Sequence, residues 1–482
     1  MPISTAHPSE VRARLDHPVI DSDGHLREFM PVATEYVARV AGKDIAGRLT
    51  AEEARMPRNQ NWYGMSDAER RDARAIRPAF WGTPLRNHGV DHATALFPDL
   101  MMERLDELGL DFAVLYPSRG VVVQSLTDAE VRRGWCRGLN EYYADIWGGY
   151  ARRMTPVATI PMHTPAEAID ELEHAVHKLG FKAVMFPSWV KRPVRAIAAR
   201  HPDMADHAWW ADTYGIDSAH DYDPVWQKCV ELGVTPTFHG ASEGFVFRNS
   251  ISNIVYNHVG HFAAAADAVC KSLFLGGVAR RYPTLKFLFL EGGVGWARSL
   301  LADLASHWEK RSLPGLAANT DPRLLDADLF WKLYQDYGGK LKRDMTKEKL
   351  AGLYGGRPED PADSFAGLGF DTKADLHTHF VESFYFGCEG DDPVMASAFD
   401  TLRNPGRTRL NAVYGSDIGH WDVTVMNDIL HEAHEPVDKG LITQKDFRDF
   451  VFGNPARLWT ATNPNFFHGT AVEAAVAKEL RA

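Results

Sequence analysis

The sequence predicts an α/β fold, specifically a (β/α)8 TIM barrel with long inserted loops at the C-terminal face of the strands. Three observations lead there. Eight short apolar runs alternate with helical patterns along the 482 residues, and such alternation builds a parallel sheet. Four of the runs are followed at once by residues able to bind a metal or move a proton: Asp23 with His25, then His239, Glu291 and Asp417. Functional side chains at the ends of separate strands are how a closed barrel assembles a site at one mouth. Finally, no glycine fingerprint follows the first run, which weighs against an open dinucleotide-binding sheet.

The runs lie at 18–22, 111–116, 155–160, 181–186, 234–238, 286–290, 380–386 and 411–415. Each is short and continuous, as a strand buried on both faces should be. The first closes on Asp23-Gly24-His25. Residues two apart on a strand point to the same side, so Asp23 and His25 can aim at one point. Helical patterns fill the gaps. Residues 98–108 carry Leu100, Met101, Leu105 and Leu108 at helical spacing. Thr164-Pro165-Ala166-Glu167 reads as a capping box opening a helix through Leu179, stopped by Gly180. Residues 223–232 before Gly233, and 261–281 before Pro283, repeat that grammar.

One domain spanning 1–482 is expected, with insertions near 29–97, 189–221 and 309–375. Long connections in compact folds serve as lids, binding loops or oligomer contacts. The first insertion is rich in Arg and Trp, including Trp62, Arg77, Trp81 and Arg86.

Composition bounds the function. Lys plus Arg total 53 against 64 Asp plus Glu, a net charge of −11, which argues against a nucleic-acid scaffold. No stretch of membrane-spanning length is apolar throughout. Residues Met1 to Asp16 lack a basic-then-apolar signal pattern. Cys136, Cys229, Cys270 and Cys388 are scattered without paired spacing, so they read as small buried hydrophobes. A cytoplasmic enzyme acting on a small molecule is the expectation.

Each candidate residue has a structural alternative. Asp23 and His25 could shape a strand-end turn. His239 could be a satisfied polar residue, and Asp417 a helix N-cap. Glu291, behind an apolar run, is costly to bury unless paired or bound to a cation; it could be a base, a ligand or an anchor for one. Together, two imidazoles and one to three carboxylates suit a hard or borderline divalent ion. Asp417 could also take a proton. His258 and His261 could reach substrate, cap a helix or meet solvent. Arg77 and Trp81 would suit an aromatic carboxylate, through pairing and stacking, or serve surface charge and loop packing. His377-Thr378-His379 looks like a better dyad, but it precedes the seventh run and so belongs at the wrong end of the barrel, as a loop or interface pair.

These segments resemble the amidohydrolase superfamily, in the branch containing aminocarboxymuconate-semialdehyde decarboxylase and the dihydroxybenzoate (resorcylate) decarboxylases. The matching stretches are VIDSDGH (19–25), PVATIPMHTPAEA (156–168), TPTFHG (235–240), GGVARRYPTLKFLFLEGGVGW (276–296) and YGSDIGHWD (414–422). The resemblance implies a (β/α)8 barrel, one divalent metal (zinc first, manganese second) and a homodimer. It maps Asp23, His25, His239 and Asp417 to metal ligands, with Asp417 also handling protons. The branch usually places a His before Gly-Gly after the sixth strand, where this chain has Glu291. The resemblance favours a decarboxylase-like carbon–carbon lyase. Glu291 pulls toward hydrolysis by activated water, of an amide, ester or lactone. A non-catalytic ligand-binding barrel is the third reading.

Overall fold

Strand β1 (Ile20–Leu26) starts a ring of parallel strands in a computed structural model that describes residues 8–54, 62–78, 89–205, 207–240, 249–320, 322–354 and 363–481. The strands that follow are β2 (Phe112–Pro117), β3 (Met154–Pro156), β4 (Ala158–Thr159), β5 (Val184–Phe186), β6 (Val190–Pro193), β7 (Trp209–Asp212), β8 (Pro236–Phe238), β9 (Phe287–Phe289), β10 (Phe384–Glu389) and β11 (Asn411–Gly415). Pairing runs β1-β2-β3 in one sheet and β4-β5-β8-β9-β10-β11 in another. The two are one ring. β3 and β4 are a single run interrupted at Val157, whose N–H donates to Leu115 on β2 at 3.0 Å, while Ala158 donates to Ala183 beside β5 at 3.0 Å. The seam closes where Asp417 N donates to Asp23 O and His25 N to Ile418 O, both at 2.9 Å. Eight positions around the ring, all joined in parallel, make the (β/α)8 barrel.

The apolar runs are buried on both faces. Phe112 to Tyr116 on β2 are all fully buried. Phe238, Phe289 and Phe386 form a ladder on the outer face, with ring centroids 5.5 and 6.3 Å apart. They meet Trp226, from helix Asp223–Leu232, and Trp296, from helix Gly295–Arg311. Because successive strand residues alternate sides, the outward Phe238 leaves His239 facing the interior. All four cysteines are buried and unpaired.

Several boundaries differ from expectation, each for a local reason. The first strand runs on through Leu26, so Asp23 and His25 are strand residues; its register with β2 slips between Asp21 and Gly24. The seventh strand begins at Phe384 rather than at residue 380. Its first expected residues belong to helix Lys373–Ser383, opened by a capping box between Thr372 and Asp375, with Leu376 and Phe380 buried at helical spacing. His377 and His379 therefore sit on that helix and not in a loop. Thr164 accepts from Glu167 N at 3.2 Å, but the Glu167 carboxylate turns to Arg132 at 2.7 Å, so only half of the capping box forms. The helix starting at His261 stops at Leu275, and a second turn, Val278–Arg281, restarts after Gly277 (φ 71°).

Among its described residues the first insertion is mainly helical, with Met30–Ala41 and Gly89–Leu96 at its two ends. The second leaves β5 and holds the antiparallel pair β6–β7, outside the barrel. The third leaves from the end of helix Gly295–Arg311 rather than from a strand end, and contains helices Ala327–Tyr337 and Lys347–Tyr354. No helix among the described residues is long and apolar enough to cross a membrane.

Candidate metal centre

Four strand ends deliver their side chains to one buried point. The Nε2 atoms of His25 and His239 face each other at 3.2 Å. Around His25 Nε2 lie Asp417 Oδ1 at 3.3 Å, Asp23 Oδ1 at 3.5 Å and Glu291 Oε1 at 3.6 Å. Around His239 Nε2 lie Asp23 Oδ1 at 3.7 Å and Glu291 Oε1 at 3.8 Å. Asp23, His25, His239 and Asp417 are each at most 3 % exposed. Two nitrogens each ~2.0–2.1 Å from an ion, at tetrahedral to octahedral angles, would stand roughly 2.9–3.4 Å apart. The observed separation of the two imidazoles falls in that range.

Electrostatics makes the same demand. Burial pushes Asp23 up to about 7, and the nearby charge of Glu291 adds to the rise although His25 opposes it. Burial also drives Asp417 well above the usual carboxylate range, with Glu291 again contributing. His239 is pushed down to about 3, chiefly by burial. Burial alone would lower His25 too, but Asp23 and Glu291 outweigh it and raise it to about 9. Glu291 goes the other way: burial would raise it, yet His239, His25 and His420 hold it well below its ordinary value. Three buried carboxylates crowd two imidazole nitrogens, and among the described residues Asp23 Oδ1, Glu291 Oε2 and Asp417 Oδ1 accept no hydrogen bond. A divalent cation offsets such charge better than protons shared among them. The donor set therefore fits the expected metal.

The backbone is shaped to deliver these groups. Glu291 and Asp417 both have φ of 52°, a left-handed conformation unusual for a residue with a side chain and concentrated at functional sites. At Glu291, two residues after the outward Phe289, the turn carries the side chain out of strict strand alternation and into the mouth. Asp21 pins the seam behind them: fully buried, it accepts from Ser416 Oγ at 2.5 Å, Ser416 N at 3.0 Å and Asp23 N at 3.1 Å. Gly415 allows β1 and β11 to approach, since a Cβ there would lie 2.7 Å from Asp23 Cβ. Gly415→Ala should therefore displace Asp23, cost about 1–3 kcal/mol of stability through overpacking, and weaken metal retention. Thermal melts with and without added metal check this; an unchanged metal-induced stabilisation would contradict it.

Two residues at the mouth carried no role in the sequence reading. His420 Nδ1 lies 2.7 Å from Asp417 Oδ1 and 3.1 Å from Glu291 Oε1, and its ring stacks on His25 with centroids 3.6 Å apart. Ser118 Oγ is 3.3 Å from its Nε2. A cluster of His25, Glu291, Asp417 and His420 shares the same compact spacing as Asp23, His25 and His239, with donor atoms within 4.8 Å of one another in each. Glu389, the last residue of β10, pairs with Gly415 on β11, two residues before Asp417, and is raised first by burial and then by the charges of Glu291 and Asp422.

The expected substrate contacts divide. His258 ends helix Ile254–His258 and His261 begins the next. With Phe262 and Trp421 they build an aromatic wall beside His239: Phe262 is 5.7 Å from His239, and His258 is 5.5 Å from Trp421. His261 Nδ1 donates to His258 O. Arg77 stacks over Trp62 at 4.2 Å, and its carbonyl accepts from Asn257, one residue before His258. Trp81 and Arg86 lie outside the described residues. Asp417 is no helix cap, since the next α-helix starts at Ile429.

Known proteins share this architecture. A manganese-bound dihydroxybenzoic acid decarboxylase from Polaromonas, holding the inhibitor 2-nitroresorcinol, aligns over 94 % of this chain and 99 % of its own, with a TM-score of 0.50 and 15 % identity. An amidohydrolase from Mycobacterium avium subsp. paratuberculosis aligns over 92 % and 100 %, with a TM-score of 0.53 and 16 % identity. A 5-carboxyvanillate decarboxylase from Novosphingobium aromaticivorans, complexed with manganese and 4-hydroxy-3-methoxy-5-nitrobenzoic acid, aligns over 92 % and 96 %, with a TM-score of 0.50 and 14 % identity. At these identities the likeness is one of fold. The amidohydrolase family model matches residues 23–339, more than half of the sequence and a span that runs from the first ligand candidate past Glu291, and the chain is an enzyme of the amidohydrolase family.

Proposed function

We propose that this enzyme uses one divalent metal to decarboxylate a small, carboxylated, aromatic substrate. Asp23, His25, His239 and Asp417 would hold the ion, and zinc or manganese would both satisfy the set. When bound, the ion supplies Lewis-acid polarisation of substrate oxygens. The carrying observation is the contact of Asp417 with both His25 and His420 at the barrel mouth, where burial first and then the charge of Glu291 raise its carboxyl well above the usual carboxylate range. Asp417 would give that proton to the ring carbon that bears the substrate carboxylate. The bond from that carbon to the carboxylate then breaks, its electron pair returns to the ring, and carbon dioxide departs. His420 Nδ1 stands 2.7 Å from Asp417 Oδ1 with its hydrogen bond directed to Glu291 Oε1 at 3.1 Å, and would exchange protons with this pair of carboxylates. Phe262, His258 and Trp421 would bound the ring. Similarity in fold to two enzymes described as decarboxylases of aromatic acids supports the reading.

Hydrolysis is the second reading, and Glu291 favours it. Its Oε2 accepts no hydrogen bond at the mouth, where it could take a proton from an attacking water. Mass spectrometry of products from a panel of aromatic acids, lactones and amides separates the two. Loss of carbon dioxide is expected from an aromatic acid; gain of water by a lactone or amide, with every acid untouched, would overturn the decarboxylase reading. The resemblance also implies a homodimer, which light scattering of the purified protein checks.

A further inference from the structure

The third insertion carries an apolar surface that no described residue covers. Helix Ala327–Tyr337 is 11 residues long, and none of its residues is buried. Leu329, Leu333 and Tyr337 recur at every fourth position, so they share one face of the helix. They are 52 %, 42 % and 81 % exposed, and Leu341, four residues further on, is 77 % exposed. A neighbouring face is taken: Phe330 meets Tyr354 edge-on at 5.8 Å, on helix Lys347–Tyr354. Leu353 and Tyr354 of that second helix are exposed as well. A helix this short is marginal by propensity and gains its order from packing an apolar face. The open stripe therefore needs a cover.

Position, size and charge select a second copy of the chain. Helix Gly295–Arg311 starts four residues after Glu291 and runs 17 residues before the insertion leaves it, a length of about 25 Å. The chain returns through helix Lys373–Ser383 to Phe384, the first residue of β10. The insertion thus leaves and rejoins the barrel at its foot, the end opposite the metal mouth, where an interface is better placed than a lid. The six exposed Leu and Tyr side chains of the helix pair present roughly 600–700 Å², at or above the largest apolar patch of an ordinary monomer, about 300–600 Å². Doubled by its own image and ringed by polar groups, this surface reaches the ~1,200–2,000 Å² of a stable interface. Charge also runs along the stripe with opposite signs at its ends. Asp326 and Asp328 stand at the start, Lys340, Lys342 and Arg343 beyond the end, and all five are exposed (Asp328 also holds Lys347 within its own copy). Two stripes laid antiparallel about a two-fold axis set acidic end against basic end twice over. That complementarity offsets the repulsion between two chains of net charge −11.

We propose that this stripe is where two copies of the chain meet, helix against helix about a two-fold axis. The resemblance implies a dimer without locating its contact, so the proposal rests on that reading, and the test separates the two. Sedimentation velocity of the metal-loaded full chain should show a dimer at micromolar concentration. Leu329→Glu combined with Leu333→Glu should weaken it at least about 100-fold, the loss expected when central anchors of an interface are removed. Metal content and far-UV circular dichroism should stay unchanged. Leu402→Glu, at an 87 % exposed position outside the insertion, should leave the dimer intact. All four native cysteines are buried, so Leu333→Cys treated with a short bismaleimide reports the contact directly, and covalent dimers are expected. A double variant that stays dimeric, or a cysteine variant that yields no covalent dimer, would overturn the contact and leave the dimer standing. A monomeric wild type would overturn both. A monomer that pellets with phosphatidylglycerol vesicles would overturn them too and assign the face to a membrane surface.

Discussion

His239→Ala should yield folded protein that no longer retains its divalent ion, with kcat/KM reduced by about 10³-fold or more. That loss corresponds to about 4 kcal/mol of transition-state stabilisation, within what a Lewis-acid ion supplies. The reasoning is geometric. His239 Nε2 is one of two imidazole nitrogens aimed at the shared point, 3.2 Å from its counterpart. Its ring packs against Phe262 and Tyr116, but the strand that carries it is held by backbone pairing with β5 and β9. Removing the imidazole takes away a ligand and leaves the barrel closed. Elemental analysis and far-UV circular dichroism check the two halves. Metal content equal to wild type would contradict the assignment.

Glu291→Gln should behave differently. The ion is expected to stay, because His25, His239, Asp23 and Asp417 remain, while kcat falls by about 10²- to 10⁴-fold, the range for losing a proton-transfer group or its direct partner. Glu291 Oε1 lies 3.1 Å from His420 Nδ1 and within 3.8 Å of both imidazole Nε2 atoms. An amide keeps the shape but removes the negative charge that holds this group together. It also changes the balance at Asp417, whose carboxyl rises partly because Glu291 is charged. The proton on Asp417 should then be lost at lower pH, shifting the pH–rate profile toward acid. Metal loss in this variant would instead make Glu291 a ligand.

The barrel was legible because its strands are short, continuous apolar runs, and because the residues of interest stand at or just behind their C-terminal ends. His239 follows Phe238, whose outward burial against Trp226 fixes the direction of its neighbour. The same logic failed at the seventh strand. Phe380, Phe384 and Phe386 are all apolar, and periodicity cannot divide a helix end from a strand start in so short a stretch. Starting the strand at residue 380 ended it at 386 and hid Glu389, which lies at its true C-terminal end. His420 was missed for another reason. It belongs to no strand, and reaches the site only because Asp417 takes a left-handed backbone that turns the chain back, with His420 N donating to Asp417 O at 3.2 Å. The sequence hints were its place in the stretch YGSDIGHWD and Gly419, whose φ of 97° suits that turn. Arg77 lies in an insertion, where an arginine in a Trp-rich loop suggested either substrate pairing or loop packing; its guanidinium stacks over Trp62.

The most direct test is anomalous X-ray diffraction from a crystal of the enzyme grown with manganese or zinc. One strong peak is expected at the barrel mouth, ~2.0–2.3 Å from Nε2 of both His25 and His239, with Asp417 on the same ion. A fully loaded crystal with no peak between those two imidazoles would contradict the account.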